Sequence, residues 1–509
     1  MPLRLLIYVL LLSSCSQFAA WSPPSEAPRD PQGRVLPGGG SGKLRRPNVV
    51  LILADDLGFG DVGAYNPNSK IQTPHLDRLA AEGLRFTDAH SPSAVCTPTR
   101  YGILTGRYAW RTELKSSVLM GFSPPLIEAD RFTMADLFGE AGYQTACIGK
   151  WHLGLGWQLV EGGTVTERYL RDATKVDLEA PFTGGPLELG FDRFFGCSAC
   201  PTTDWIYSFL EGDRTVGVPS EAVVFATSEH AEMPGGWYRD GIATPGWEFE
   251  VVDPTFVGEA RAWLAETDRE EPFFLYLPLS APHAPWLPPE ETSGTTEEGA
   301  RGDMVALVDW AVGEIREQLE EQGILDDTLI VFTSDNGPRI GLNGHASAGP
   351  WRGYKSHTWE GGHRIPMIVR WPGEVPAGDV HQDPACLTDL LSTFAALLDV
   401  DLPEGAAEDS LDLSSVFLGR APDEPIREVV LSHSVRGAFT IRRGRWKLIL
   451  GTEGSGGWVP PSDSTDPKDE SIGQLYDLRE DPAETTDLFD TRPEVVAELK
   501  EGLDLVRRR

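Results

Sequence analysis

The sequence predicts an α/β fold: a mostly parallel sheet sandwiched by helices, with a smaller C-terminal α+β subdomain. Several short runs of continuous apolar residues have the length of strands and end in turn residues, which is typical of parallel strands buried on both faces. Segments with helical periodicity separate these runs, as the crossovers of a parallel sheet require. The apolar runs lie at residues 48–54, 143–148, 273–277, 329–333 and 365–371.

The predicted helices have recognisable starts and stops. Pro74 lies near the start of one and Gly83 at its end, and a long amphipathic pattern around Leu307 stops at Gly323. Further helices are predicted to cover 132–141, 387–398 and a segment ending at 264.

A stretch rich in Asp, Pro, Gly and Ser at 399–425 predicts a domain boundary. Beyond it, the strand-like segments V-V-L-S, A-F-T-I-R, W-K-L-I-L and Q-L-Y-D-L predict an antiparallel sheet, and 493–506 predicts a final helix. With 509 residues, the chain is long enough for a large domain over 47–400 and a smaller one over 401–509.

The chain is strongly acidic, with 44 basic and 77 acidic residues and a net charge of −33. This charge argues against nucleic acid and anionic membrane surfaces as partners. A local cationic pocket must therefore hold any anionic ligand.

The first 20 residues resemble a secretory signal, because one early positive charge precedes an apolar run too short to span a bilayer. The segment L-S-S-C ending at Cys15 also resembles a bacterial lipobox, with ordinary cleavage after Ala20 as the alternative. Residues 21–46 are rich in Pro, Gly and Ser and predict a flexible linker. We therefore expect export to the periplasm or outside the cell. A lipid anchor on Cys15 is one alternative, and it is the only membrane association that we expect.

Acidic and amide residues directly follow two of the apolar runs. Asp55 and Asp56 end the first strand, and Asp335 and Asn336 end the fourth. Because ligands bind at the carboxyl edge of parallel sheets, we expect these four side chains to converge. Their oxygen donors suit Ca²⁺ better than Zn²⁺.

Three cationic or titratable residues follow other strands. Lys150 and His152 come at the end of the second strand, where extended geometry predicts that they share a face. His283 lies in the proline-stiffened loop after the third strand. These residues form a candidate anion-binding and proton-transfer group.

Cys96 stands just before a predicted helix in which Thr97 is the expected cap, Pro98 lies in the first turn and Gly106 ends the helix. An anion against Cys96 would be stabilised by the helix N-terminus and by Arg100.

The stretch C-T-P-T-R beginning at Cys96, with the L-T-G-R that follows it, resembles the signature of the type I sulfatases. G-K-W-H-L-G around Lys150 and the segment around Lys355 that ends in E-G-G resemble two further sulfatase blocks. The likeness covers nearly all of 47–488 and implies an alkaline-phosphatase-like fold. Tyr354 and His357 replace glycines that are frequent in the third block.

The resemblance implies that Cys96 is oxidised to formylglycine (3-oxoalanine), whose aldehyde is hydrated to a geminal diol. One hydroxyl, activated by a single Ca²⁺ ion, attacks the sulfur of a sulfate monoester, and S–O cleavage follows. His152 then takes a proton from the other hydroxyl, while His283 or Lys355 protonates or stabilises the leaving oxygen. Arg100, Lys150 and Lys355 offset the charge of the sulfuryl oxygens. The implied metal ligands are Asp55, Asp56, Asp335, Asn336 and residue 96.

The expected substrate is a sulfated small molecule or glycan, and the expected partner is a formylglycine-generating maturase. One alternative is a phosphonate or phosphate ester hydrolase of the same superfamily. Another is a non-catalytic lipoprotein that binds sulfated glycans through an unmodified Cys96. The complete set of candidate catalytic residues favours an enzyme.

Further predictions concern residues outside these motifs. Cys197 and Cys200 predict a small disulfide loop or half of a metal site, with a structural role preferred. His345 and His357 are expected at the surface. The loop-rich region 155–254 is expected to set substrate selectivity, with Asp204 and Trp205 as candidates. Cys147 and Cys386 lie in apolar segments elsewhere in the chain and are expected in the core.

Overall fold

One large sheet carries the strand ends on which the candidate residues lie. The computed structural model describes residues 46–224, 239–458 and 466–508, so the predicted signal peptide and all but the last residue of the predicted linker lie outside the described residues. Along the described chain the strands are β1 (Asn48–Ala54), β2 (Leu84–His90), β3 (Gln144–Lys150), β4 (Arg193–Cys197), β5 (Ile206–Tyr207), β6 (Leu210–Glu211), β7 (Arg214–Thr215), β8 (Glu221–Val223), β9 (Gly241–Ala243), β10 (Phe273–Pro278), β11 (Thr328–Ser334), β12 (Arg364–Arg370), β13 (Asp379–His381), β14 (Ala385–Cys386), β15 (Val429–His433), β16 (Phe439–Arg443), β17 (Trp446–Leu450) and β18 (Gly473–Asp477).

The centre of the large sheet is parallel, in the order β11-β1-β10-β3-β4. β12 and β2 continue it beyond β11 in antiparallel pairings, and β13 and β14 pair with β2. β6 and β7 close the other edge. The predicted fold class is therefore confirmed, with antiparallel flanks around a parallel centre.

The helices cover both faces of this sheet. Within the described residues they are α1 (Pro74–Ala81), α2 (Cys96–Thr105), α3 (Met134–Glu140), α4 (Val252–Glu266), α5 (Ala300–Glu321), α6 (Glu360–His363), α7 (Leu390–Leu398), α8 (Ser414–Phe417) and α9 (Pro493–Arg508). None of these helices has the length and apolar character that crossing a membrane requires.

The alternating side chains of β1 contribute to two separate cores. Val49, Leu51 and Leu53 pack in one hydrophobic cluster with residues of α2, α3 and α7. Val50 and Ile52 pack in a second cluster with residues of α1, α4 and α5. A strand buried on both faces is thus apolar at successive positions, as the sequence predicted.

Two glycines allow the ends of three strands to approach closely. A Cβ atom on Gly149 in β3 would lie 2.0 Å from the carbonyl oxygen of Pro278 in β10. A Cβ atom on Gly196 in β4 would lie 1.8 Å from the carbonyl oxygen of Gly149. Backbone therefore contacts backbone at the edge where the candidate residues emerge.

The C-terminal subdomain is a four-stranded antiparallel sheet, β15-β16-β17-β18, covered by α9. Leu431, Leu448 and Leu503 share its hydrophobic cluster with Trp110, which belongs to the large domain. The predicted antiparallel strands and final helix are both present. The C-terminal subdomain and the large domain therefore share one hydrophobic cluster.

The core between the sheet and α3 gives a stability prediction. Phe138 is fully buried and stacks on Phe274 of β10, with ring centroids 4.0 Å apart. Phe138→Ala should lower the free energy of unfolding by about 3–5 kcal/mol, because it removes apolar contacts and leaves a cavity. Urea denaturation followed by tryptophan fluorescence measures this. Val160→Ala, at a side chain that is 64% exposed, is the control, and equal losses in both variants would contradict the assignment.

Candidate active site

Two pairs of oxygen-bearing side chains meet where β1 and β11 end. The strands are paired in parallel to their last residues, so Asp55-Asp56 and Asp335-Asn336 leave the sheet side by side. All four residues are buried. The backbone N–H of Asp56 donates to Oδ1 of Asp335 over 3.3 Å, and Nδ2 of Asn336 donates to Oδ1 of Asp56 over 2.8 Å. The structure therefore brings together the four residues predicted to converge.

Cys96 is the first residue of α2, at the positive end of the helix dipole. Val95 is the residue before the helix, and Thr97 lies within it, so the predicted cap at Thr97 is wrong. The predicted end is correct, because Gly106 adopts a left-handed conformation with φ of 62°. The start of α2 therefore fixes the position of the Cys96 sulfur atom.

Arg100 lies one turn into α2 and is fully buried. Its Nε and Nη2 donate to Oδ2 of Asp335 over 3.0 and 2.8 Å, and its Nη1 donates to the carbonyl oxygen of Lys150 over 2.8 Å. Nη2 also lies 3.4 Å from Oδ2 of Asp55. The guanidinium thus binds a carboxylate and a strand end, and its expected contact with a bound anion stays a prediction.

Two lysines neutralise the other carboxylates. Nζ of Lys150 contacts Oδ2 of Asp55, and Nζ of Lys355 lies 2.6 Å from Oδ1 of Asp56. Lys150 is fully buried and Lys355 nearly so. With the guanidinium pair described above, three carboxylates face three cations.

His152 follows the end of β3 and has φ of 59°. The strand ends at Lys150, so the predicted strand alternation does not reach His152. Nε2 of His152 lies 2.8 Å from the carbonyl oxygen of Leu119, so Nε2 carries the proton and Nδ1 is an acceptor. Nδ1 is buried, and among the described residues it has no hydrogen-bond partner.

His283 follows β10 in the predicted loop. Its Nδ1 lies 2.6 Å from the carbonyl oxygen of Ala284, which assigns the proton to Nδ1. Nε2 lies 3.8 Å from Sγ of Cys200 and 3.9 Å from Oδ2 of Asp56. Burial and the charge of Lys355 lower the pKa of His283 to about 4. The imidazole is therefore neutral at neutral pH, with a free lone pair on Nε2.

Comparison with known proteins identifies the family. The Sulfatase family model matches residues 47–400. The chain belongs to the sulfatase family. It is 35% identical over 506 residues to an N-acetylgalactosamine-6-O-sulfatase from Bacteroides thetaiotaomicron, covering 91% of this chain and 94% of the relative. It is 33% identical to human arylsulfatase A, covering 90% of this chain and 87% of the relative.

A solved sulfatase structure from a study of glycosaminoglycan metabolism by Bacteroides thetaiotaomicron matches with a TM-score of 0.78 and 34% identity, covering 91% of this chain and all of that one. The sulfatase described here is thus a sulfuric ester hydrolase with an alkaline-phosphatase-like fold.

The electrostatics of the sulfatase site centre on residue 96. Burial would raise the pKa of Cys96, but a hydrogen bond from Cys200 and the charges of Lys150 and His152 hold it well below its usual value. Burial and the nearby Asp55 raise the pKa of Asp335 well above the usual carboxyl value. The site therefore favours an anion at residue 96 and additional positive charge near Asp335.

The donor atoms fit a hard divalent cation. Sγ of Cys96 and carboxylate oxygens of Asp55 and Asp335 all lie within 4.8 Å of one another. Oδ1 of Asp55 and Oδ1 of Asn336 are buried and, within the described residues, have no hydrogen-bond partner. Acidic and amide oxygens of this kind suit Ca²⁺.

Cys200 is the site residue whose position the sequence interpretation missed. Cys197 and Cys200 are both free thiols, so the predicted disulfide loop is wrong. Cys197 packs in the second hydrophobic cluster, whereas Cys200 influences the pKa of Cys96 and its Sγ faces His283. The only sequence signal was the C-S-A-C spacing, which does not show that one cysteine faces the site.

Two histidines expected at the surface are buried. His345 hydrogen-bonds Asp61 over 3.0 Å, and His357 is fully enclosed. Asp204 and Trp205 are also buried, with Trp205 near the Arg171 guanidinium. Their role in selectivity stays a prediction. Cys147 and Cys386 are buried, as predicted.

Three non-glycine residues near the site adopt left-handed backbone conformations. They are Asp56 with φ of 69°, His152 with φ of 59° and Ser356 with φ of 78°. Each costs roughly 1–2 kcal/mol relative to ordinary backbone. The surrounding contacts must therefore hold the site residues in place.

The buried Asp61 carboxylate supports the loop that follows β1. Its carboxylate accepts from Arg301 over 2.9 Å, from His345, and from the backbone N–H of Gly58 over 2.6 Å. Asp61→Ala should lower the free energy of unfolding by about 3–5 kcal/mol, since it leaves buried donors unpaired. Asp326→Ala removes a surface ion pair at an 83% exposed side chain and should change the urea midpoint far less. Similar midpoints for both variants would contradict this role.

Proposed function

We propose that this sulfatase hydrolyses sulfate monoesters of glycans, with N-acetylgalactosamine-6-sulfate as the preferred terminal unit. The observation that carries the chemistry is the convergence of Cys96, Asp55 and Asp335 at a helix N-terminus. The sugar preference rests on the relative from Bacteroides thetaiotaomicron and on a human N-acetylgalactosamine-6-sulfatase that is 31% identical to this chain.

Asp55, Asp56, Asp335 and Asn336 would hold one Ca²⁺ ion, and Cys96 would be converted to formylglycine. When present, the ion would polarise sulfuryl oxygens and the hydrated aldehyde would supply the nucleophilic oxygen. The side chains around the ion and residue 96 carry out the remaining steps.

Lys150 and Lys355 bind the sulfate in this proposal. When a divalent cation keeps Asp55, Asp56 and Asp335 ionised, the three carboxylates balance the three cations, so the cation would leave the site with a net charge of +2. This surplus favours a sulfate ester inside a chain whose overall charge is −33. The two ammonium groups then share their charge between carboxylates and sulfuryl oxygens.

His152 acts as the base. Its Nε2–H donates to the Leu119 carbonyl oxygen, which fixes the ring and leaves Nδ1 to accept a proton. Once protonated, its charge would stabilise an anion at residue 96. His152 therefore accepts the proton that residue 96 releases while sulfate is expelled.

Lys355, rather than His283, donates a proton or positive charge to the leaving oxygen. With the pKa of His283 lowered to about 4, this imidazole lacks a proton on Nε2 at neutral pH. His283 instead accepts a hydrogen bond from the substrate. The sequence left open whether His283 or Lys355 acts on the leaving oxygen, and we propose Lys355.

The direct test is release of inorganic sulfate from a substrate panel. N-acetylgalactosamine-6-sulfate should be cleaved faster than the 4-sulfate, an aryl sulfate and the matching phosphate monoester. Faster cleavage of the phosphate ester would overturn the proposed reaction, and faster cleavage of the 4-sulfate would overturn only the sugar preference.

We also propose that the chain is exported and that a formylglycine-generating maturase converts Cys96. Expression with and without such a maturase tests the second statement. The mass of the peptide containing residue 96 should show the aldehyde only with the maturase. An unmodified thiol in both samples, together with full sulfatase activity, would contradict it.

Cys96→Ala should lower sulfate release at least about a thousandfold, because it removes the nucleophile. Cys147→Ala is the matched control, since Cys147 is also a buried free thiol but lies in the first hydrophobic cluster. Turnover is measured by ion chromatography of sulfate. Retained activity in Cys96→Ala would refute the mechanism.

Removal of Ca²⁺ should abolish activity and lower the thermal midpoint. When the free Ca²⁺ concentration is a hundred times the dissociation constant, binding adds about 2.7 kcal/mol to the free energy of unfolding. Differential scanning fluorimetry with chelator and with added Ca²⁺ measures the shift. Asp335→Asn should lose this shift, whereas Asp172→Asn, at an exposed carboxylate, should keep it.

A further inference from the structure

A buried pair of histidines lies outside the catalytic residues, between the segment that leads to Cys96 and the turn that begins β12. His90 is the last residue of β2 and His363 the last residue of α6, and both side chains are buried. Their Nδ1 atoms lie 3.0 Å apart. Neither imidazole takes part in the hydrolysis proposed above, so the contact between them needs its own explanation.

The neighbours of the pair assign its protons. The Asp88 carboxylate, which also pairs with Arg364 over 3.0 Å, lies 2.8 Å from Nε2 of His90, so this Nε2 carries a proton. Burial lowers the pKa of His90, and burial together with the charge of Lys447 lowers the pKa of His363 well below its usual value. Both rings are therefore neutral at neutral pH. Nδ1 of His90 accepts a hydrogen bond, and the Nδ1–H group of His363 donates it.

The other end of the pair meets a lysine from the C-terminal sheet. Nζ of Lys447 lies 3.2 Å from Nε2 of His363 and 3.0 Å from Oε1 of Glu360. An ammonium group only donates, so this Nε2 accepts, and the Thr358 carbonyl oxygen at 3.3 Å is farther away. Ligand atoms of His90, Glu360 and His363 lie within 4.8 Å of one another, as metal ligands do, and here the ammonium group supplies the cation.

Backbone contacts connect the histidine pair to residue 96. The N–H of Ser91, the residue after His90, donates to the carbonyl oxygen of His363 over 2.8 Å. Ser91 lies five residues before Cys96, and every residue of this short segment is buried. The side-chain pair and this backbone bond together fix where the segment leaves β2, so they limit how far residue 96 can move.

The α6 turn also supports the segment that carries an implied metal ligand. The N–H of Gly337, the residue after Asn336, donates to the carbonyl oxygen of Gly362 over 2.9 Å. A Cβ atom on Gly337 would lie 2.0 Å from the carbonyl oxygen of Gly361. Backbone thus packs on backbone here, so a shift of α6 would move residue 336 relative to residue 96.

We propose that His90 and His363 are positioning residues for the sulfatase reaction. Their hydrogen bond holds the segment before residue 96 against α6, and α6 holds the segment that carries Asn336. The nucleophile and the metal ligands thereby keep the separation that attack on sulfur requires. The inference rests on the proposed function, and it adds two residues that act through the groups they hold.

Two substitutions of His90 separate this hydrogen bond from the rest of the ring. In His90→Asn the amide oxygen replaces Nδ1 and still accepts from His363, but the donor to Asp88 is lost. In His90→Gln the amide nitrogen replaces Nε2 and still donates to Asp88, but the acceptor for His363 is lost. Each uncharged variant loses one buried hydrogen bond, so the two thermal midpoints should fall by similar amounts.

The two variants should differ in turnover. The kcat for sulfate release should fall at least about tenfold in His90→Gln and less than about threefold in His90→Asn, because only the first variant frees residue 96 from α6. KM should change less than about threefold in both, since neither histidine binds the sulfate. His381→Gln is the matched control, because His381 lies on β13 and pairs with β2 at Phe86. Its kcat should stay within about twofold of wild type.

Equal kcat values in His90→Asn and His90→Gln would overturn the positioning role, whether both variants stay active or both lose activity. A rise in KM without a fall in kcat would also overturn it. If the wild-type enzyme releases no sulfate from any ester, the proposed function fails, and the positioning role fails with it.

The same comparison at the second ring covers the case in which the His90 variants do not fold. His363→Asn keeps an N–H donor in place of Nδ1 and should stay active, whereas His363→Gln keeps only the acceptor for Lys447 and should lose turnover. Equal turnover in these two variants would contradict the proposal as well.

Discussion

Mutual neutralisation of buried charges at the carboxyl edge of the sheet is the constraint on which this structure depends. A carboxylate or cation removed from water is tolerated only when partners surround it. Here the partners come from separate elements: Asp55 follows β1, Asp335 follows β11, Lys150 ends β3 and Arg100 lies in α2. A slip of one residue in any parallel pairing would leave charges unpaired. The pairing of the buried charges therefore favours one strand register, and that register brings the charges together.

Close backbone packing supports this arrangement. At Gly149 and Gly196 no side chain separates the ends of β10, β3 and β4. Beyond the strand ends, the chain turns through left-handed residues such as Asp56 and His152. The reactive groups are thus fixed largely by backbone geometry, which reduces the ordering required when a substrate binds.

The sequence predicted the parallel strands and the residues at their ends, because a strand buried on both faces is apolar along its whole length. It did not predict β2, whose L-R-F-T-D-A-H pattern alternates apolar and polar residues over only its first four positions. The burial of His345 escaped prediction because its partner, Asp61, is 284 positions away in the chain. The pairing of Arg100 with Asp335, 235 positions away, escaped for the same reason. Local patterns indicate where a strand ends, whereas the partner of a buried polar group depends on the tertiary fold.

The segment that joins β15 and β16 has a wider consequence. It bonds backbone to backbone with both sides of the site: the N–H of Ala94 donates to the His433 carbonyl oxygen, and that of Val435 donates to Ser356. The C-terminal sheet is therefore not an exchangeable module. In evolution, an insertion or deletion in this hairpin would reach the reaction centre within a few residues, so the hairpin and the large domain must change together.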